Sequence, residues 1–173
     1  MTFKPLIALV LLGSSITGAI VPVRALAAGG ISGGGGNVLP GKAPETLQDP
    51  EQVEDEVRES HAIAIDYLSR KISGQTDVQS IAILELARRV PPHITDDRPC
   101  FDSAGNVVDG SNATGRHRGR ICISALNLAR KVHPTELRAQ AAALMIHEYA
   151  ELAGSDEDQA VQLQTGAFKE LMR

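Results

Sequence analysis

The stretch from Leu144 to Glu157 reads Leu-Met-Ile-His-Glu-Tyr-Ala-Glu-Leu-Ala-Gly-Ser-Asp-Glu, and its apolar beginning predicts a helix. Helical spacing places His147 and Glu151 one turn apart on the same face. An imidazole and a carboxylate arranged in this way can both reach one metal ion. Glu148 follows His147 directly, where it can act on a water molecule at that ion. The stretch therefore predicts a metal-binding helix near the C-terminus, with Glu148 as the candidate general base.

This stretch resembles the active-site helix of the zincin metallopeptidases, and its spacing fits the metzincin pattern His-Glu-x-x-His-x-x-Gly-x-x-His/Asp. The resemblance implies that His147 is the first metal ligand and Glu148 the general base. It places Glu151 at the second ligand, Gly154 at the turn glycine and Glu157 at the third ligand. The match covers eleven of the 173 residues, so it is local.

The ligand set departs from the zincin pattern because Glu151 and Glu157 replace histidines. Asp156 and Asp158 are alternatives for the third ligand. One histidine and two carboxylates carry about two negative charges, which weakens the Lewis acidity of Zn²⁺ and favours harder divalent ions. No Met-turn follows in the 16 residues after Glu157, so the pattern favours a compact or degenerate zincin relative.

The resemblance implies a metal-dependent peptidase that uses Zn²⁺ or another divalent ion. Three alternatives remain open. The acidic residues cap the last helix and face water, or His147 packs beneath a β-hairpin, or the domain is a non-catalytic, metal-free zincin relative with a structural or protein-binding role. A peptide or protein is the expected ligand, and the predicted strand at residues 121–123 could offer its backbone edge to an extended peptide.

The first 27 residues have the pattern of a secretory signal peptide. Lys4 supplies the positive charge, residues 6–12 form an apolar run, and Ala25 and Ala27 form a small-x-small cleavage site. The alternative is a retained membrane anchor, but the apolar run is too short and too interrupted for a good spanning helix. The pattern predicts cleavage near Ala28, export to the periplasm or the extracellular space, and no membrane span in the mature chain.

The mature chain is expected to hold one domain, at residues 51–173, behind a flexible Gly/Pro-rich linker at residues 28–50. Removing Lys4 and Arg24 with the signal peptide leaves 15 basic and 21 acidic residues, a formal charge of −6. This charge argues against a nucleic-acid partner. The composition leaves the oligomeric state open.

Cys100 and Cys122 are the only cysteines, and an even count in an exported chain predicts a disulfide. The alternative is a pair of free buried thiols. The predicted fold is α+β and mostly helical, with four to five helices and a small β-hairpin or three-stranded patch that the disulfide pins. The apolar periodicity and the capping residues predict helices at residues 50–73, 77–90, 125–131, 135–153 and 156–173.

Overall fold

Five helices and five short strands make up the described part of the chain. The computed structural model describes residues 36–73, 77–112 and 119–173. The helices are α1 (Pro50–Ile72), α2 (Val78–Arg89), α3 (Ala125–Lys131), α4 (Leu137–Leu152) and α5 (Glu157–Leu171). The strands are β1 (His93–Thr95), β2 (Cys100–Phe101), β3 (Val107–Val108), β4 (Gly110–Ser111) and β5 (Cys122–Ser124). The predicted α+β, mostly helical class is confirmed; the predicted signal peptide and residues 28–35 of the predicted linker lie outside the described residues.

Side-chain caps fix where four of these helices begin. The side chains of Asp49, Asp77, Ser124 and Asp156 each accept a hydrogen bond from a backbone N–H in the first turn of α1, α2, α3 and α5. Helix α4 has no such cap and instead continues from a 3-10 turn at Pro134–Glu136. No helix in the described ranges is long and apolar enough to cross a bilayer.

Helix α4 forms the centre of the domain and packs against α1, α2, α5 and β4. Every residue from Ala139 to Glu151 in this helix is buried. A helix that is covered on all sides must hold its polar groups in specific contacts, because unpaired buried polar atoms are costly. Buried alanines at Ala141, Ala142, Ala143 and Ala150 allow neighbouring elements to approach closely. The chemistry carried by α4 therefore lies inside the protein.

The strands form two small sheets. In the first, β5 lies between β1, to which it is parallel, and β4, to which it is antiparallel. In the second, β2 and β3 form an antiparallel hairpin whose turn is closed by Asp102, which accepts hydrogen bonds from the backbone N–H of Ala104 and of Asn106. The prediction that the strand near residues 121–123 offers a free edge is wrong, because both edges of β5 are paired. Strands of two or three residues carry too little periodicity to reveal a parallel pairing in the sequence.

The predicted disulfide is present and links the two sheets. Cys100 of β2 is bonded to Cys122 of β5, with 6.0 Å between their Cα atoms. The bond closes a loop that contains β3, β4 and the residues leading to β5. A cross-link of this separation restricts the unfolded chain and so stabilises the fold.

Removing this disulfide should lower stability markedly. A variant with Cys100→Ser and Cys122→Ser should lose about 3 kcal/mol, because its unfolded chain regains the loop entropy. Its melting temperature, followed by circular dichroism, should fall by about 10 °C. Wild type heated with reductant serves as the control and should approach the variant. Equal melting temperatures for wild type and the variant would show that the disulfide contributes no net stability.

The described part of the predicted linker is hydrogen-bonded to the helical domain. Residues 36–42, which we call the strap, lie along α4: the backbone N–H of Gly36 donates to Glu148, and that of Leu39 donates to Gln140. Further on, the backbone N–H of Gln48 donates to the carbonyl of Ala129 in α3. Residues 36–42 and Gln48 are therefore bonded to the folded domain, a set of contacts that the prediction of a flexible tether did not include. The Gly/Pro-rich composition of this segment indicated flexibility. It could not reveal the groups that bind the segment, because they lie about a hundred residues away in the sequence.

Candidate metal centre

The last turns of α4 and the first turn of α5 bring the predicted ligands together. Nε2 of His147 lies 3.7 Å from Oε2 of Glu151, one helical turn further along α4. The same nitrogen lies 3.8 Å from Oε2 of Glu157, the first residue of α5. Each of the three residues offers a ligand atom within 4.8 Å of the other two, so this group could hold a metal ion. The predicted set of His147, Glu151 and Glu157 is thus assembled in space.

The turn between α4 and α5 decides which acidic residue takes the third position. Gly154 has a φ of +93°, a left-handed conformation that favours glycine, and it ends α4 so that the chain can reverse. Asp156 then caps α5, its carboxylate accepting a hydrogen bond from the backbone N–H of Gln159. That cap occupies Asp156, and Asp158 does not belong to the clustered group. Glu157 is therefore the residue that faces His147.

His147 is buried, with 1 % of its surface exposed. Burial lowers the pKa of its imidazole, and the charge of Glu157 and the backbone of Ala160 only partly oppose this effect. The ring is therefore neutral near pH 7, the form that binds metals. Among the described residues neither ring nitrogen has a partner that meets hydrogen-bonding geometry, although the backbone of Ala160 lies close enough to affect the ring's pKa. A buried imidazole nitrogen without a partner is costly in a folded protein, and a metal ion at Nε2 would satisfy the nitrogen that faces Glu151 and Glu157.

The two candidate carboxyl ligands differ in their surroundings. Glu151 is 5 % exposed, whereas the side chain of Glu157 is 57 % exposed. Burial, followed by a hydrogen bond with Glu157 and the negative charge of Glu157, together raise the pKa of Glu151 to about 8. The side-chain amide of Asn112, just after β4, donates a hydrogen bond of 3.1 Å to Oε2 of Glu151. Asn112 is a site residue that the sequence did not reveal, because it lies 39 positions away from its partner.

Glu148, the predicted general base, is completely buried. Its Oε1 accepts a 2.8 Å hydrogen bond from the backbone N–H of Gly36, while its Oε2 has no hydrogen-bond partner among the described residues. Burial raises the pKa of this carboxyl well above its usual range, and the charge of Glu151 adds to the effect, whereas the Gly36 bond opposes it. The candidate base thus lies beside the candidate ligands but is covered by the chain itself.

Two glycines make room for the Glu148 carboxyl. A Cβ atom on Gly36 would lie 2.6 Å from Oε1 of Glu148, and one on Gly110 would lie 2.9 Å from the same oxygen. Real Cβ atoms do not approach so closely. Sequence reasoning missed both glycines, since nothing local to either of them indicates a buried acid.

No protein-family model matches the chain, and neither a curated protein nor a solved structure is significantly similar to it. Any functional conclusion therefore depends on the geometry and chemistry of this cluster.

Proposed function

We propose that this chain binds one divalent metal ion through His147, Glu151 and Glu157 and acts as a zincin-like, metal-dependent peptidase with Glu148 as its general base. The observation that carries the proposal is the His147 imidazole, which is buried, directed at two carboxylates and without a hydrogen-bond partner in the part of the chain that the structure describes. Buried polar groups in native proteins nearly always have partners, and an unpartnered one requires an explanation. A metal ion supplies that explanation.

The distances support a shared ion. Zinc–nitrogen and zinc–oxygen bonds are about 2.1 Å long, so two ligand atoms on a tetrahedral ion lie about 3.4 Å apart. Nε2 of His147 lies 3.7 Å from the Glu151 oxygen and 3.8 Å from the Glu157 oxygen. Side-chain shifts of a few tenths of an ångström would close both gaps. The exposed Glu157 leaves a route from solvent for the ion.

The charges also support a cation. The charges of Glu151 and Glu157 raise the pKa of Glu148, and Glu157 raises the pKa of Glu151. A metal-free site therefore holds protons that a bound cation would displace. Asn112 holds Glu151 in place, as a residue behind a metal ligand commonly does. One imidazole with two carboxylates suits zinc and also harder ions such as Mn²⁺.

The catalytic part of the proposal assigns one role to each group. A bound zinc ion polarises a carbonyl group and lowers the pKa of water. His147 contributes a neutral imidazole, and Glu151 and Glu157 contribute negative charge. Glu148 would accept a proton from water at Oε2, the oxygen for which the described residues supply no hydrogen-bond partner.

A second function remains a candidate because of one observation: Glu148 is fully buried and bonded to Gly36. A general base must reach the proton that it abstracts. If the strap never leaves Glu148, the domain is a non-catalytic zincin relative that serves a structural or protein-binding role.

Zinc titration of the wild-type protein, freed of metal by chelator, tests the proposal. Isothermal titration calorimetry should give one bound ion per chain, and Glu151→His should bind zinc more tightly because imidazole is the better zinc ligand and the change removes one negative charge. The matched variant Glu148→Gln should keep the metal but lose any peptide hydrolysis. If neither wild type nor Glu151→His binds zinc at micromolar concentration, the metal site does not exist. Metal binding without hydrolysis in wild type would instead support the non-catalytic domain.

A further inference from the structure

The strap is held mainly through its backbone. Its N–H and C=O groups bond to side chains and backbone atoms of α4, α5, β4 and the segments beside them. These bonds are Gly36 N–H to Glu148, Gly110 N–H to Gly36 C=O, Gln164 to Asn37 C=O, Val38 N–H to Asp109, Leu39 N–H and C=O to Gln140, Lys42 N–H to Glu136, and His133 N–H to Lys42 C=O. This is how proteins bind an extended peptide, with main-chain bonds providing affinity.

The groups that bind the strap are built into the core. Gln140 is 1 % exposed, Gln164 is 2 % exposed and Asp109 is fully buried, yet each uses its polar atoms on the strap. The Gln140 amide bonds to both the N–H and the C=O of Leu39, as a neighbouring strand would. Buried amides directed at a passing backbone form a polar groove rather than an apolar contact.

The strap itself contributes little to the hydrophobic core. Its residues 37 and 40–42 are exposed, and Val38 is the strap residue that packs, partly buried, against the core cluster. Segments with few apolar contacts open at lower free energy than the core does. The strap has few such contacts, and its departure would break mainly hydrogen bonds, which water can replace.

Gly36 is the strap residue that lies against Glu148 and His147 of the candidate metal centre. A Cβ atom there would lie 2.6 Å from Oε1 of Glu148 and 2.8 Å from Cδ2 of His147, the carbon next to Nε2. The strap backbone therefore covers both the candidate base and a candidate ligand. Because those side chains are buried on α4, they cannot move aside for a larger residue.

We infer that the surface formed by α4, α5 and β4 is a peptide-binding groove, that residues 36–42 occupy it as an intramolecular ligand, and that an extended peptide with glycine opposite Glu148 replaces them when they leave. Any effect of the strap on catalysis rests on the proposed function, because departure of the strap would expose Glu148, the proposed base. Peptide binding itself requires no metal.

Hydrogen exchange on the metal-free wild-type chain tests whether the strap opens separately. The amides of Val38 and Leu39 should exchange at least tenfold faster than the buried amides of α4, because they open without global unfolding. Equal exchange rates for the strap and α4 would make the strap an integral part of the fold and overturn the inference.

Binding in trans tests the groove itself. The probe is an N-acetylated peptide, Gly-Asn-Val-Leu-Pro-Gly-Lys, and the protein is the Gly36→Val full chain, whose own strap is displaced by the added side chain. The peptide should bind this variant roughly tenfold or more tightly than wild type. Asn37→Val is the matched control, since it introduces the same residue at an exposed neighbouring position, and it should behave as wild type.

The outcomes separate this inference from the proposed function. A peptide with valine in place of its first glycine should bind the Gly36→Val chain at least tenfold more weakly. Equal binding of both peptides, no difference between Gly36→Val and wild type, or a Gly36→Val chain that does not fold would each overturn the inference. Because all measurements use chelator, failure of the zinc titration would remove the metal site and leave this result untouched.

Discussion

Replacing His147 with alanine should lower zinc affinity at least a hundredfold. His147 is the one nitrogen donor of the cluster, and its Nε2 faces both carboxylate ligands. The two remaining carboxylates suit Ca²⁺ or Mg²⁺ more than Zn²⁺, and they cannot complete a zinc site by themselves. Competition with a chromophoric zinc chelator at pH 7.5 measures the loss, because it covers a wide range of affinities.

The matched control for this prediction is His61→Ala. His61 is also partly buried, but its Nε2 contacts the carbonyl of Ala87 and the hydroxyl of Tyr149, so it serves helix packing. The control should lose some thermal stability and keep wild-type zinc affinity. If His147→Ala and His61→Ala bind zinc equally well, His147 is not a ligand.

The metal-free protein should become less stable as the pH rises from 7 to 8.5. The folded state raises the pKa of Glu151 from its ordinary 4.5 to about 8. A carboxyl whose pKa is raised in the folded state stabilises the fold below the unfolded-state value, and this contribution is lost progressively as the pH rises from 4.5 through the folded-state value of about 8. Bound zinc should remove the decline, because a cation favours the ionised carboxylates.

Two neighbouring groups define the useful pH window. Burial lowers the pKa of His147, so its contribution rises with pH near 6.5 and offsets that of Glu151 in weakly acidic solution. Glu148 acts in the same direction as Glu151, since its pKa is also raised. Above pH 7 the carboxyl groups dominate. The window from pH 7 to 8.5 therefore isolates their effect.

Thermal melting with chelator and with zinc measures this prediction. We expect the chelated protein to lose about 1 kcal/mol of stability, or about 4 °C in melting temperature. This value allows for solvent screening of the Glu157 charge that acts on Glu151, because the Glu157 side chain is 57 % exposed. Glu151→Gln is the matched control: its amide does not ionise but still accepts the hydrogen bond from Asn112, so the decline should be reduced. A metal-free wild type that is as stable at pH 8.5 as at pH 7 would refute the assigned ionisation.

Local chemistry made the framework of the site predictable. The spacing of His147 and Glu151 follows from helical periodicity, and Gly154 supplies the left-handed turn that ends the helix. The capping residues Asp49 and Asp156 mark helix starts through bonds to backbone groups two or three positions away. Such interactions join near neighbours, so their residues can be found in a window of one or two helical turns.

The cysteines were predictable for a different reason. The chain has only two cysteines, Cys100 and Cys122, so each has a single possible partner. Once export was assumed, their number was enough to predict the disulfide without knowledge of the geometry. The pairing of β1 with β5, by contrast, could not be predicted. It joins two parallel strands of three residues each, and no local sequence pattern indicates which strands pair. Only the packed sheet shows which strand edges are used.

The sequence by itself determined that His147, Glu148 and Glu151 share a helix and that an acidic turn follows it. The tertiary structure alone decided that this helix is buried on all sides, that Glu157 closes the cluster and that Asn112 holds Glu151. It also decided that Gly36 covers Glu148 from 112 positions away. The physical reason is that burial and partner choice depend on how distant segments pack, whereas helical spacing and turn chemistry depend only on residues within reach along the chain.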